Sequence, residues 1–176
     1  MAQIIPLFKR MAQKEPNKES WEGRKEKFFS FSMGDKAFVV PAVDVAEVAV
    51  FSSLIEIPTN TEIVSGVVNV RGTVIPIINL RKRLGLPKDF VIDSKTKVIY
   101  FKPKQDFFIG MIVDNVDFRL TEGIILPKSA SLGDSDNNDE VIMEEKDTNC
   151  RFKVFLIDDL VKPNEFEEVQ KVLEAF

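Results

Sequence analysis

Residues 66–86, GVVNVRGTVIPIINLRKRLGL, set one arginine between two apolar runs and follow the second run at once with a short capped helix. Val67, Val68 and Val70 form one β-branched run and Val74 to Ile78 the next. The spacing predicts a hairpin turned at Arg71-Gly72, because glycine tolerates the positive φ that tight hairpin loops require. Asn79 is placed to N-cap a helix over Leu80–Leu84, with Gly85 as its C-cap and Pro87 as its stop. This arrangement points to a binding module rather than a catalyst.

The rest of the chain repeats the strand grammar. Phe28 to Met33 and Ala37 to Val40 read as strands about a Gly34-Asp35 turn, and Pro41 ends that hairpin. Asp44 to Val50 continues as a helical turn and a strand. Thr96 to Phe101 and Phe107 to Val113 flank a Lys-Pro-Lys-Gln-Asp turn, and two further strands are predicted over Val116–Leu120 and Gly123–Leu126. Many short strands between Gly, Pro and Asp turns, with little helix, indicate an all-β barrel or sandwich and not a βαβ sheet. That excludes a receiver-type phosphorylation domain. PIINLRKRLGLP and VFLIDDLVKP echo one another, each running from an apolar strand through an Asn or Asp cap into a short helix stopped by proline. Two such units suggest two small barrels packed as pseudo-repeats.

At 176 residues the chain suits one moderate domain or two small halves that share a core. Residues 1–26 precede the first strand, mix Lys, Arg, Glu, Gln and Asn, and read as a mobile arm. The alternative is a short amphipathic helix over Ile4–Ala12. Residues 27–162 form the main domain, with an acidic loop near 129–140. In residues 163–176, Phe166, Val169, Val172, Leu173 and Phe176 fall at helical spacing, which predicts a terminal helix lying on the β core. Fifteen phenylalanines against one Trp and one Tyr read as core filler for strands.

The composition removes several kinds of chemistry. There is no histidine, so Ser-His-Asp and Cys-His nucleophilic sites, His-ligated zinc and a His phospho-acceptor are all excluded. No Gly-rich phosphate loop appears, and Asp158-Asp159 cap a helix more simply than they form a catalytic pair. The expectation is no enzyme activity, no cofactor and no metal. In GDSDNNDEVIMEE, Asp134, Asp136, Asn138, Glu140 and Glu145 fall at positions 1, 3, 5, 7 and 12 of a calcium loop. The sixth position is Asp139 where glycine is needed, and the flanks read as strands, so a solvated acidic loop is the simpler reading. A formal charge of −4 argues against nucleic acid as a partner, and the run Arg81-Lys82-Arg83 reads as a solvated helix face. The single Cys150 cannot form an internal disulfide, which fits a reducing compartment, with cytoplasm as the default. The opening MAQIIPLFKRMAQK is interrupted by Pro6 and by Lys9-Arg10, so neither a signal peptide nor direct membrane insertion is expected.

Residues 66–80 resemble the core motif of the CheW-like domains, coupling proteins that join bacterial chemoreceptors to their histidine kinase. That motif is a glycine, an apolar pair, Asn-Leu-Arg-Gly, then a Val/Ile-rich strand ending in Pro-(Val/Ile)2-(Asp/Asn)-Leu. Only its first Leu departs, becoming Val70. The resemblance extends from about Phe28 to about Val161. FFSFSMGDKAFVVPAVDVAEV is similar to the family's first hairpin and its Val-x-Glu-(Val/Ile) element, here Val45 to Val48. FIGMIVDNVDFRL is similar to its Gly-x-x-Val-Asp-x-Val segment, here Gly110, Val113, Asp114 and Val116, and FKVFLIDDL to its closing strand. Two features depart: the acidic insertion between Leu126 and Phe152, and the lack of a glycine near Asp147 to Cys150, which leaves the last hairpin's geometry open.

The resemblance implies two packed five-stranded SH3-like barrels, short connecting helices, a C-terminal helix and a hydrophobic cleft between the barrels. It implies a stand-alone adaptor without a catalytic domain, cytoplasmic and recruited to membrane receptor arrays. Its implied partners are the regulatory domain of a CheA-type histidine kinase and the cytoplasmic tip of methyl-accepting chemoreceptors. The implied receptor groove is marked by Arg71 with Glu47 as its ion-pair partner, by Val45, and by Gly66 keeping the backbone open to an incoming helix. Asn69 is placed to hydrogen-bond across the Arg71 turn. Two other readings stay open: a scaffold of the same kind for surface motility or biofilm signalling, and a metal-regulated binding protein that uses the acidic loop.

Overall fold

The computed structural model describes residues 22–57, 62–87, 91–102, 107–127 and 141–176. Its strands are β1 (Lys25–Met33), β2 (Lys36–Pro41), β3 (Val45–Val50), β4 (Val64–Val70), β5 (Thr73–Ile78), β6 (Lys97–Phe101), β7 (Ile109–Val113), β8 (Asn115–Ile125), β9 (Val141–Glu145) and β10 (Arg151–Val154). Two short helices follow strand ends, α1 (Leu80–Arg83) after β5 and α2 (Ile157–Leu160) after β10, and α3 (Phe166–Glu174) comes after α2. Asn79 caps α1 as expected, its side chain accepting from the Lys82 backbone N–H at 3.2 Å. Asp159 reaches back to accept from the Leu156 N–H at 3.1 Å, a capping role for that carboxylate.

The strands form two five-stranded sheets. One is a closed barrel in the order β1-β2-β10-β9-β8, and the other runs β3-β6-β7-β5-β4. The first is built from both ends of the chain and the second from the middle. The echo between PIINLRKRLGLP and VFLIDDLVKP is a true topological equivalence: β5 and β10 each leave a hairpin, pair in parallel with one neighbour (β7 and β2 respectively) and enter a short helix. By the same correspondence β8 and β9, which pair over Gly123–Ile125, match β3 and β4. In the second sheet β3 and β4 are the two edges, and an isolated bridge between Ile55 and Val67 spans the seam between them.

Three apolar clusters hold this together. Phe28, Val39, Ile125, Met143, Val154 and Leu156 fill the closed barrel. Val68, Ile75, Ile77, Val98 and Tyr100 fill the second sheet. The largest cluster lies between the two, where Phe31, Phe38 and Phe155 stack and meet edge-on within 6.2 Å and Val169 and Val172 of α3 are buried. The phenylalanine surplus therefore serves packing. At the chain's end Phe176 departs from the expected inward face and is 60% exposed.

Other departures have local causes. The two strands expected over 116–126 are one strand, because a bulge lets β8 skip Phe118-Arg119 between its pairings of Leu120 with Phe29 and Asp117 with Ser30. β9 was hidden within the acidic stretch. Glu145, the last of the spaced acids, ends that strand, while residues 128–140, with the rest of the acidic loop, lie outside the described residues, as do residues 1–21 of the N-terminal arm. The last hairpin solves its turn without glycine, since Asn149 takes φ +55° and its N–H bonds to Glu145 O at 3.0 Å.

The basic run on α1 is a solvated face only at Lys82, which is exposed; Arg81 and Arg83 turn toward acids of the chain. Arg81 is buried and pairs with Asp114, Lys82 pairs with Glu62, and Arg83 pairs with Glu165 at the foot of α3. Asp114 is the one residue between β7 and β8, where the chain passes from one sheet to the other. Its second carboxylate oxygen accepts from the Gly34 N–H at 2.7 Å, so a single side chain ties α1 to the β1–β2 turn.

Candidate functional site

The Arg71 hairpin is a two-residue loop closed by the Val70–Thr73 pair. Arg71 and Gly72 both have positive φ, +53° and +86°, the signature of a type I′ turn. Asn69 spans the turn as expected, its Oδ1 accepting from the Gly72 N–H at 2.8 Å. The sequence pointed to glycine as the left-handed residue, yet arginine shares that conformation. A left-handed conformation costs an L-residue with a Cβ roughly 1–2 kcal/mol.

Beside this turn, at the seam between β3 and β4, lies a cleft of about 320 Å³. One wall is the end of β3 with Ser52 and Ser53; the other is β4 from Val68 to Val70, with Arg71 at its lip and Tyr100 behind. Apolar rim residues are well exposed, Val50 at 64% and Ile55 at 48%. The seam is bridged at one point. After β3 the chain crosses over β4, where Ile55 exchanges two backbone hydrogen bonds with Val67, at 2.8 and 2.9 Å.

Gly66 makes that crossing possible. A Cβ placed there would lie 2.5 Å from Ile55 O and 2.8 Å from Leu54 Cγ. Its space is taken by the chain's own Leu54-Ile55, so in this structure Gly66 supports a wall of the cleft and does not open the backbone to a partner. Val45 packs against the core between the sheets and does not line the cleft.

Glu47 is the clearest departure. No ion pair joins it to Arg71 among the described residues; it lies opposite Tyr100 across the β3–β6 ladder. The Tyr100 phenol is pushed above its ordinary value, first by burial and second by the Glu47 carboxylate. The neutral phenol is thus favoured in the folded chain. Its contribution to stability is full below the unfolded phenol's pKa and is lost as pH rises through the higher folded value. Because the chain has a single tyrosine, phenolate absorbance reads this group alone. We expect its midpoint to lie above that of the unfolded chain and to fall, without reaching that value, in Glu47→Gln. An unchanged midpoint in the variant would show that Glu47 does not act on the phenol.

The cleft therefore gathers Arg71 and Asn69, with Gly66 beneath its wall and Glu47 beside Tyr100 across the β3–β6 ladder. Sequence reasoning missed Tyr100, Ser52, Ser53, Val50 and Ile55. The signal available was the polar pair Ser52-Ser53 breaking an apolar run right after a strand.

The CheW-like domain family model matches residues 27–122, more than half of the chain. Chemotaxis protein CheW of Bacillus subtilis (strain 168) is 31% identical over 96 residues, covering 54% of this chain and 60% of the relative. That of Helicobacter pylori (strain ATCC 700392 / 26695) is 28% identical over 141 residues, 77% of this chain and 82% of the relative. Protein PilI of Pseudomonas aeruginosa is 34% identical over 98 residues, 56% of this chain and 51% of the relative. In several of these alignments the matched part is about 60% or less of the relative's length. The crystal structure of scaffolding protein TtCheW from Thermoanaerobacter tengcongensis superposes with a TM-score of 0.63 at 26% identity, covering 80% of this chain and 95% of that one. No helix among the described residues is long and apolar enough to cross a membrane.

Proposed function

Because the chain belongs to the CheW-like domain family, we propose that it is a non-enzymatic adaptor coupling transmembrane chemoreceptors to a CheA-type histidine kinase in chemotaxis signalling. One face holds the kinase's regulatory domain and the Arg71 face holds the cytoplasmic tip of the receptor. The protein works in the cytoplasm, recruited to receptor arrays, and needs no cofactor or metal. The observation that carries this reading is the family's Gly-x-x-Asn-x-Arg-Gly segment, residues 66–72, forming the wall and lip of an open cleft.

The receptor-binding set is Arg71, Asn69, Gly66, Glu47 and Val45, in unequal roles. Arg71 and Asn69 meet the partner, Gly66 holds the cleft wall, Glu47 acts through Tyr100, and Val45 fixes β3 on the core. Recognition fits the mode in which an apolar helix face lies on a groove. Two weak contacts on one adaptor reinforce each other through effective concentration when receptor and kinase are held together.

Arg71→Ala is expected to weaken binding of a receptor cytoplasmic fragment about tenfold and to leave binding of the kinase regulatory domain unchanged. Pull-down with each partner separately checks both. Equal loss at both partners would contradict the assignment of Arg71 to the receptor face. The likeness to PilI, a relative not named for chemotaxis, supports a second reading, the same scaffold serving a different receptor–kinase pathway. Binding to the receptor and kinase of one gene neighbourhood and not another distinguishes the two.

A further inference from the structure

We infer that the second sheet has a closed state, in which Ser52, Ser53 and Leu54 zip onto Val70, Asn69 and Val68 and erase the cleft, so that the seam switches what can bind there. The adaptor reading enters only through the partner used as a probe. The closed barrel shows this ladder in its zipped form. There the Leu126 N–H bonds to Ile142 O at 2.8 Å, and Ile125, Ile124 and Gly123 follow one for one against Met143, Glu144 and Glu145. β8 and β9 are the counterparts of β3 and β4. The Ile55–Val67 bridge is the same first rung, and counting on from it places Leu54 against Val68, Ser53 against Asn69 and Ser52 against Val70.

The seam is built for that continuation. Ile55 and Val67 exchange two backbone hydrogen bonds, so the next pair placed to exchange two is Ser53 with Asn69, two residues on. The Asn69 main chain faces the seam, as that of Val67 does, while its side chain is spent on the Gly72 N–H. Leu54 stands on the right face, packed on the cluster that contains Val68 and lying over Gly66. Both ends of the segment are held, since the Phe51 N–H bonds to Thr96 O beside β6 at 3.1 Å and Ile55 is tied to Val67. Only Ser52 and Ser53 have to move, and both are exposed, small and uncharged. These two serines form one wall of the cleft of about 320 Å³, so their swing onto β4 fills it.

The test is a cross-link that fits only the zipped register. Ser52 and Val70 would form a non-hydrogen-bonded pair, the closer kind, within disulfide reach, whereas Ser53 and Val70 would point to opposite faces. In the full chain carrying Cys150→Ser, Ser52→Cys with Val70→Cys is expected to be oxidised by oxidised glutathione about tenfold faster than the control pair Ser53→Cys with Val70→Cys. In the cross-linked chain the Asn69 amide should exchange about tenfold more slowly than in its reduced form. Isothermal titration with a receptor cytoplasmic fragment should show binding about tenfold weaker when cross-linked, recovering on reduction. Equal oxidation rates for the two pairs, or a cross-linked chain whose Asn69 amide is no better protected, would overturn the closed state. A cross-linked and protected chain that binds the fragment within about twofold of its reduced form would overturn the switch. Wild-type protein that does not bind the fragment would overturn the adaptor reading instead, with oxidation and exchange still deciding the closed state.

Discussion

Asp114→Ala is expected to destabilise the fold by about 2–3 kcal/mol, the largest loss from any single charged residue described here. The carboxylate holds two donors, the Arg81 guanidinium of α1, which follows β5 of one sheet, and the Gly34 N–H of the β1–β2 turn in the other. Truncation removes the Asp114 carboxylate from the Arg81 side chain, which is only 10% exposed. The 31% exposure of Asp114 keeps the loss below that of a fully buried pair. Arg81→Met should cost less, because removing the cation removes the desolvation problem along with the bond. Adding Arg81→Met to Asp114→Ala should therefore recover part of the loss. Urea denaturation of the three variants measures this, and strictly additive losses would show that the two side chains do not interact.

The second large effect is at Gly66. Gly66→Val forces the crossing segment off β4, since even a Cβ would stand 2.5 Å from the Ile55 carbonyl oxygen. The expected loss is about 1–3 kcal/mol, in the range of overpacked sites. Its local signature should be faster hydrogen exchange at the Ile55 and Val67 amides, whose mutual bonds tie the seam. Gly72→Ala provides a contrast. A Cβ there meets nothing within 4 Å, so only the backbone cost of φ +86° remains and the seam amides should stay protected. Seam amides that keep their protection in Gly66→Val would show that the crossing does not depend on this glycine.

Much of the fold was legible because local signals agreed with tertiary structure. The hairpin at Arg71, the cap at Asn79 and the terminal helix follow from turn chemistry and apolar spacing, and they appear where those rules place them. The missed features depend on partners distant in sequence. Arg81, Lys82 and Arg83 look like an exposed basic face until Asp114, Glu62 and Glu165 are brought to them. β9 is three apolar residues beside acids and becomes a strand by pairing with β8 and β10. The bulge in β8 is set by its register against β1, which no local pattern encodes.

The candidate site was legible in its residues more than in its geometry. The resemblance led to Arg71, Asn69 and Gly66, and all three meet at the cleft or its wall. It paired Arg71 with Glu47, whereas the β3–β6 ladder places Glu47 against Tyr100. The cleft's location was hidden for the same reason as the topology. Closure of a sheet depends on whether its edge strands meet, and here β4 is met by a single bridge from Ile55, in the segment that follows β3.

The central claim is that one copy of this protein holds receptor and kinase together. Vesicles bearing a receptor cytoplasmic fragment, sedimented with the kinase regulatory domain in the presence and absence of the full chain, test it most directly. The account predicts that the kinase domain pellets when the chain is present, stays in the supernatant without it, and pellets less with Arg71→Ala. Kinase domain that pellets equally without the chain, or that displaces the chain from the vesicles, would contradict it.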